Sequence, residues 1–367
     1  MNEDPNPEGL DTSESSGWDD YPLDSVFVRT EQRTVGEVVK RIEAGRYELN
    51  PEFQRDFVWP ADKQSRLIES CLMRIPLPVL YVAEAPDGRI IVVDGLQRLT
   101  TFKRFLSNEF SLTGLSNAEG EGRARSLIDG RRFDQLPLNL QERIEDTQLT
   151  LYILDAKAPE RAKLDIFERV NGGVPLTRQQ MRNCLYNGPA TRWLKSASEM
   201  EPFLMVTGGS LDRKSMRDRE AINRFCAFHL LGEHRYRGDM DGFLADGLGV
   251  INGPDFDTEQ LTKRFDLAMR ANGFLFKTHA FRKSLVSGDE HAHRSVINIS
   301  LFDVCSVLLA SKSAEEIKAK AADIREAVQL LLTDSIFSNA ITYSTNSKRQ
   351  VGTRFKLARA AFDRVFA

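Results

Sequence analysis

Residues 92–101, VVDGLQRLTT, combine an apolar run with side chains that can bind phosphate or polarise water. Asp94 and Gly95 end a stretch of β-forming residues, and Gln97, Arg98 and two threonines follow in the predicted first turns of a helix. A helix that begins directly after a buried strand leaves its first N–H groups without acceptors, and the helix dipole adds a partial positive charge there. The sequence therefore predicts an anion site at this junction.

Each polar residue of the junction has a chemical role that it could fill. Gly95 has no Cβ, so a phosphate can come close to the main chain. Arg98 can donate two hydrogen bonds to phosphate oxygens, and Thr100 or Thr101 can donate a hydroxyl. Asp94 repels a phosphate unless a cation or a hydroxyl lies between them, which indicates Mg²⁺, a ribose hydroxyl or an activated water. The local pattern leaves one alternative open, in which Asp94 only caps the helix and Arg98 is a surface charge.

Two further segments carry side chains of the same kinds. FQRDFVW places Gln54 and Arg55 in an extended stretch between aromatic residues, and a second Gln-Arg pair at the junction suggests two edges of one anion pocket. In FERVNGGVPLT a helix is predicted to end at Asn171 and its two following glycines, and Thr177 to begin the next helix. An alternative for this third segment is a corner that needs glycine for its backbone conformation.

Hydrophobic periodicity predicts the elements that position these residues. Apolar residues recur at helical spacing on both sides of two short β-type runs, which are joined by the turn sequence PDGR. The expected order is a helix over 34–45, a helix between Pro60 and Pro76, antiparallel strands at 79–85 and 89–94, a helix from 96, and a strand at 148–155.

Strand signals fade after this point, and the second half of the chain is predicted to be mostly helical. The predicted helices lie at 159–170, 177–186, 189–198, 215–232, 258–277, 295–310, 314–333 and 348–366. The fold class is therefore α+β, with a small mixed sheet and helices followed by a mostly α-helical C-terminal half. The expected organisation is a disordered acidic tail at 1–22, a first domain at 23–175 and a helical domain at 176–367.

Charge is distributed unevenly along the chain. Residues 1–28 hold eight acidic residues and no Lys or Arg, so the other 339 residues carry a net charge of +5. The acidic, polar composition of the first 22 residues is typical of a disordered tail. A mildly basic body permits contact with phosphates without requiring a nucleic acid. The cations that could line a DNA-tracking surface are Arg123, Arg125, Arg131, Arg132, Arg213, Lys214, Arg217 and Arg219.

Composition argues against several other classes of protein. The four cysteines have no metal-ligand spacing and lie among apolar neighbours, which predicts buried, reduced thiols. No cationic leader and no apolar run of about 18 residues occurs, so we expect a cytoplasmic protein without membrane contact. Serine-hydrolase and Walker-type phosphate motifs are absent from the sequence.

Four motifs in order give a more specific indication. NPEFQRDFVW, LIESCLMRIPLPVLYV, VVDGLQRLTTF and IFERVNGGVPLTRQQMRN resemble the N-terminal domain family of GmrSD-type modification-dependent restriction enzymes. The resemblance covers about residues 30–190, and two later stretches, FRKSLVSGDEHAHRSVINISLFDV and NAITYSTNSKRQVGTRF, resemble the helical remainder of stand-alone members. The family's junction usually reads Asp-Gly-Gln-Gln-Arg, and Leu96 departs from it here. If Leu96 faces the core, as its spacing from Leu99 indicates, that departure costs no function.

The resemblance implies a fold similar to ParB and sulfiredoxin, and an NTP-binding, NTP-hydrolysing domain used in defence against phage DNA. It implies Mg²⁺, held with the bound NTP, as the cofactor. The residues carried over as catalytic are Asp94, Gln97 and Arg98, with Asp94 also as the metal ligand. Those expected to bind nucleotide are Gln54, Arg55, Gly95, Thr100, Thr101 and Asn171.

Two other functions remain open from the sequence alone. One is a DNA-binding module without NTP turnover, and the other is a regulatory partner protein; a homodimer is also left open. Restriction enzymes of this group carry an HNH nuclease module, but the one candidate here, formed by His291, His293 and Asn298, lies in a predicted loop with no second acid-and-histidine element after it. We therefore expect a stand-alone member without that module.

Overall fold

The chain divides into two compact units. One comprises Gly17–Leu176, and the other comprises Thr177–Ala367 together with Met1–Ser16. Gln54, Arg55 and Asn171, and most of the predicted acidic tail, lie outside the described residues. The computed structural model describes residues 8–9, 28–49, 59–85, 87–115, 128–158, 160–170, 177–289, 291 and 293–367.

The first unit alternates short strands with helices, as its sequence pattern predicts. All of the predicted helices and strands of this half are present, and β1, β2 and α4 were not predicted. The elements are β1 (Val28–Thr34), α1 (Val35–Glu43), β2 (Tyr47–Glu48), α2 (Ala61–Leu72), β3 (Leu80–Glu84), β4 (Ile90–Asp94), α3 (Leu96–Leu106), α4 (Leu138–Glu145), β5 (Gln148–Leu154) and α5 (Glu160–Val170).

The strands form one mixed sheet in the order β1-β5-β3-β4-β2. β4 is antiparallel to β3 along its length and parallel to the two-residue β2 at Ile90 and Ile91 only, so its last residues pair with β3 alone. The β3–β4 pairing shifts register after Val82, with Val82 opposite Val92 and Tyr81 opposite Asp94. Such an irregularity bends a strand and changes the direction of its side chains. It lies at the end of β4, where the predicted site begins.

Helix α3 is held against the sheet by one apolar face. Leu99, Phe102 and Phe105 are fully buried at the spacing expected of such a face. Leu96 and Leu106 pack against the same core cluster while remaining partly exposed. The inward face predicted from the sequence is therefore confirmed, and it fixes which side chains of the first turn face outward.

The second unit is a set of helices around a large apolar core. The helices predicted from residue 177 onward are present, except that the predicted helix 314–333 breaks into two at Lys320. Three helices were not predicted: α8, α10 and α15. The elements are α6 (Arg178–Leu185), α7 (Pro189–Ser198), α8 (Glu201–Thr207), α9 (Arg217–Leu231), α10 (Met240–Ile251), α11 (Thr258–Phe276), α12 (Ile299–Ala310), α13 (Ala314–Ala319), α14 (Ala321–Thr333), α15 (Ser335–Ala340) and α16 (Lys348–Phe366). The α+β class with a mostly helical C-terminal half is confirmed.

All four cysteines are buried and free, as predicted. Burial raises the pKa of the Cys71 thiol to about 11 and that of Cys305 to about 12, so neither is a reactive thiolate. Within the described residues, none of the helices combines the length and apolar character that a membrane span requires.

A buried carboxylate joins three helices of the second unit. Asp303 on α12 accepts two hydrogen bonds from Arg224 on α9, at 3.0 and 2.7 Å, and one from Arg354 on α16, at 2.8 Å. The three side chains are at most 1% exposed. Burial lowers the pKa of Arg354 to about 10, and the neighbouring Asp303 carboxylate opposes that shift. One buried anion thus supports two buried cations.

Asp303→Asn should therefore lower the free energy of unfolding by about 3–5 kcal/mol, because it removes the charge of the carboxylate that two buried guanidinium groups share. Urea unfolding measures the change. Glu233→Gln is the matched control. Glu233 binds Arg359 at the surface, and Arg359 is on α16, as Arg354 is. Loss of this surface pair should cost no more than about 1 kcal/mol. Equal losses in the two variants would contradict the role given to Asp303.

Candidate functional site

The predicted junction is a one-residue connection between β4 and α3. Gly95 caps the helix with φ of 99°, a conformation that other residues adopt only with strain. A Cβ on Gly95 would lie 2.0 Å from Cδ2 of Leu80 on β3. The space that the sequence predicts for a phosphate beside the Gly95 Cα is therefore occupied by Leu80. A ligand at this junction has to approach from the side of the amide groups.

The first amides of α3 are available for such a ligand. No side chain caps the helix, so Asp94 is not an N-cap and that alternative is wrong. Among the described residues, the N–H groups of Leu96, Gln97 and Arg98 have no hydrogen-bond acceptor. Three adjacent main-chain donors at a helix N-terminus favour a bound anion.

Arg98 is held within the protein and is not a free surface charge. Its Nη2 donates to Oδ2 of Asp94 at 3.0 Å and to the Val79 carbonyl at 3.1 Å, and its Nη1 donates to the Pro78 carbonyl. Its side chain is only 11% exposed. Burial lowers the pKa of Arg98, and the Asp94 carboxylate opposes the shift. Arg98 therefore ties the residues before β3 to the end of β4.

Asp94 combines a fixed oxygen with a free one. Its Oδ2 accepts from Arg98, whereas its Oδ1 has no hydrogen-bond partner among the described residues, and the side chain is 41% exposed. The described part of the chain contains no group of three or more His, Cys, Asp or Glu suited to a metal. Mg²⁺ commonly binds one or two carboxylates and completes its shell with water and substrate phosphates. The single oxygen of Asp94 fits that mode and does not fit a metal cage made of protein ligands alone.

The other predicted residues of the junction have different environments. Oε1 of Gln97 accepts from the Trp59 amide at 3.4 Å, so the chain that follows the predicted Gln54-Arg55 segment reaches α3 at this point. Thr100 is partly exposed. Thr101 is fully buried, and its hydroxyl donates to the Gln97 carbonyl at 2.7 Å. Thr101 thus belongs to the core, and its predicted contact with a ligand is wrong.

The remaining candidates from the sequence lie in other segments of the chain. Of the cations assigned to a DNA surface, Arg123 and Arg125 lie outside the described residues, and the others are divided between the two units. Asn298, the HNH candidate, is buried and structural, because it caps α12 through Leu301 N and donates to the Ile341 carbonyl. Thr177 caps α6 together with Gln180, as predicted for the start of that helix.

The comparison with known families bears on the same stretch of chain. Residues 35–187 match the model described as GmrSD restriction endonuclease, N-terminal domain. This stretch is therefore similar to the GmrSD N-terminal domain, and residues 35–187 are called the GmrSD domain below. The resemblance carried by the four motifs is thus confirmed, and it points to a restriction-type system. No curated protein and no solved structure matches the chain. The GmrSD domain contains the whole β4–α3 junction, and Leu96 packs on its core where the family usually has glutamine.

Gly95→Ala should destabilise the GmrSD domain more than a change at another glycine with positive φ. Gly88 is the matched control, because its φ is 80° and a Cβ there would have no heavy atom within 4 Å. We expect a loss of about 1 kcal/mol for Gly88→Ala, from backbone strain alone. Contact with Leu80 should add about 1–3 kcal/mol at Gly95. Thermal and urea unfolding compare the two, and equal losses would show that Leu80 does not restrict the turn.

Arg98→Ala distinguishes a structural role of Arg98 from direct binding of phosphate. If Arg98 holds the junction together, the variant should lose about 1–2 kcal/mol of stability without any ligand, because its bonds to Val79, Pro78 and Asp94 disappear. Arg89→Ala is the control, since Arg89 forms a surface pair with Asp87 and should cost less. An unchanged melting temperature of the ligand-free Arg98→Ala protein would instead support direct phosphate binding by Arg98.

Proposed function

We propose that the GmrSD domain binds a nucleoside triphosphate with Mg²⁺ at the β4–α3 junction and hydrolyses it, within a restriction-type defence system against phage DNA. The observation that carries this proposal is the combination of three amides at the start of α3 with Oδ1 of Asp94, all of them without a hydrogen-bond partner among the described residues. The amides suit phosphate oxygens, and the carboxylate oxygen suits a cation or a water. The family match and the motif resemblance support the same reading.

We assign phosphate binding, and metal binding or orientation of the water, to a few groups at the junction. The amides of Leu96, Gln97 and Arg98 hold the phosphate oxygens, and Asp94 holds the metal or orients the attacking water through Oδ1. Bound Mg²⁺ would neutralise charge on the phosphates. Water then attacks the γ-phosphorus, the bond to the β–γ bridging oxygen breaks, and the nucleoside diphosphate leaves. In such a site most of the rate comes from positioning and from stabilisation of charge.

The other side chains act around this centre. We assign to Gln97 a hydrogen bond to the transferred phosphoryl group and to Thr100 a hydroxyl donated to the ligand. Gln54, Arg55 and Asn171 remain proposed ligands on the strength of the motif match alone. Arg98 contributes through the shape of the turn, because its Nη atoms already bind carbonyl and carboxylate oxygens.

Asp94→Asn tests the proposed centre. The variant keeps an oxygen that can accept from Arg98 but removes the charge that holds the cation, so we expect it to retain part of the NTP-induced rise in melting temperature and to lose phosphate release and its dependence on Mg²⁺. The measurements are thermal shift with each of the four NTPs and a phosphate-release assay.

Asp87→Asn is the matched control, because Asp87 is also a surface carboxylate paired with an arginine, at 2.6 Å, and it lies outside the junction. It should behave as the unmodified protein. Phosphate release at the same rate by the Asp94 and Asp87 variants would remove Asp94 from the reaction. The absence of any NTP-induced shift in the unmodified protein would overturn the proposed function.

A further inference from the structure

The positive charge of the chain is concentrated in residues 177–367. Residues 177–367 contain 28 Lys and Arg against 22 Asp and Glu, whereas residues 29–176 contain 22 against 23. The family match ends at residue 187, so it assigns no role to most of this basic region. An excess of one sign attracts partners of the other sign most strongly where cations cluster without counter-ions.

Helix α16 carries the densest group of these cations. Its 19 residues include six Lys or Arg and a single acid, Asp363. Arg354 is used by the buried Asp303, and Arg359 pairs with Glu233. Lys348, Arg349 and Lys356 are exposed, and none of them has an ion pair or hydrogen bond among the described residues. By contrast, the exposed cations Lys263 and Arg270 of α11 each pair with an acid one turn away.

A neighbouring loop places two more cations beside the start of α16. Tyr236 is only 2% exposed, and its hydroxyl donates to the Asn346 carbonyl. The adjacent Arg235 and Arg237 are exposed and, within the described part of the chain, unpaired. A Cβ on Gly238 would lie 3.9 Å from Cβ of Lys348, so loop and helix are in direct contact. The anchored tyrosine holds both arginines at the surface.

We define the basic face as Arg235, Arg237, Lys348, Arg349 and Lys356. Its acidic neighbours are mostly engaged. Glu233 binds Arg359 at 2.9 and 2.7 Å, and Asp239 caps α10 by accepting from the Gly242 amide at 3.1 Å. Asp239 and Asp246 are both exposed, and they line one groove together with Arg235 and Arg237. The cations therefore outnumber the free carboxylates on this surface.

Gly352 lies between the cations of α16, four residues from both Lys348 and Lys356. It is exposed, and a Cβ there would meet no heavy atom within 4 Å, so packing does not require a glycine. Glycine inside a helix costs about 1 kcal/mol relative to alanine. A bare backbone at this position lets an extended ligand lie close to the helix between the flanking lysines.

We propose that the basic face binds the phosphate backbone of double-stranded DNA. Lys348 and Lys356 are separated by two helical turns, about 12 Å along the axis, and the loop arginines extend the surface further. That spread exceeds a single phosphate group and suits a regular array of phosphates. The cations are flexible side chains without a fixed constellation for base edges, so the binding is independent of sequence. This proposal does not require NTP binding at the junction.

The test is fluorescence anisotropy with a labelled 30-base-pair duplex of mixed sequence over a range of salt concentrations. The triple variant Lys348→Gln, Arg349→Gln, Lys356→Gln should bind at least tenfold more weakly. Its slope of log affinity against log salt should be shallower by about 0.9 for each phosphate that the variant no longer neutralises. The control variant Lys263→Gln, Arg270→Gln, Lys318→Gln removes the same charge from other exposed positions and should bind within twofold of the unmodified protein.

Equal weakening of both triple variants would mean that only net charge matters, and would overturn the assignment of this face. A second variant, Arg235→Gln with Arg237→Gln, should also weaken binding. Because it leaves α16 unaltered, it tests the same face if the substitutions in α16 disturb folding. No salt-dependent binding by the unmodified protein would overturn the proposal outright. Phosphate release and NTP-induced thermal shift should be unchanged in the α16 variant, so failure here is distinguishable from failure of the proposed function.

Discussion

The candidate site depends on a single steric constraint at Gly95. Strand β4 ends beside β3, and helix α3 begins after one residue, Gly95, whose φ is 99° and whose Cα lies against Leu80. No side chain beyond hydrogen fits in that space. The turn therefore exposes the first amides of α3 without a side-chain cap, and the same geometry brings the Arg98 side chain back to the end of β4. The availability of these amides follows from this arrangement of the backbone.

Arg98 was expected from the sequence to bind phosphate, but in the structure its side chain binds other parts of the protein. A buried guanidinium loses hydration, and this loss is compensated by its bonds to Asp94, Val79 and Pro78. Those bonds hold Asp94 with one oxygen fixed and the other exposed. The arginine therefore orients the carboxylate and the turn, while the ligand is left to main-chain donors, which need no rearrangement when an anion binds.

The helical unit uses arginines and lysines in two physically different ways. Arg224 and Arg354 are fully buried and depend on the Asp303 carboxylate, so they are part of the core. Two residues away from Arg354, on the opposite face of α16, Lys356 is exposed and unpaired among the described residues. The side of the helix on which a cation lies decides whether it stabilises the fold or remains available to a partner.

The sequence by itself determined the elements with strong periodicity and clear end signals. The inward face of α3, the β3–β4 pair, the Thr34 and Thr177 caps and the burial of the cysteines all follow from local pattern. It also located the junction, because an acid and a glycine between an apolar strand and a helix are visible without coordinates. It missed β1, since VRTEQRT is polar and becomes a strand only by pairing with β5. Helix α10 was missed because its glycines weaken the pattern, and one of them, Gly247, packs closely on Ala227, where an added Cβ would lie 3.1 Å from the Ala227 Cα.

Only the tertiary structure decided what the residues of the junction contact. Pro78 and Val79 are 20 and 19 residues before Arg98, and Leu80 is 15 before Gly95, so no local pattern shows that they meet. A free arginine and a buried one have the same sequence signal, and so do a glycine kept for a ligand and one kept for packing. The distinction lies in which distant atoms surround the residue, and that depends on how the strands are ordered in the sheet.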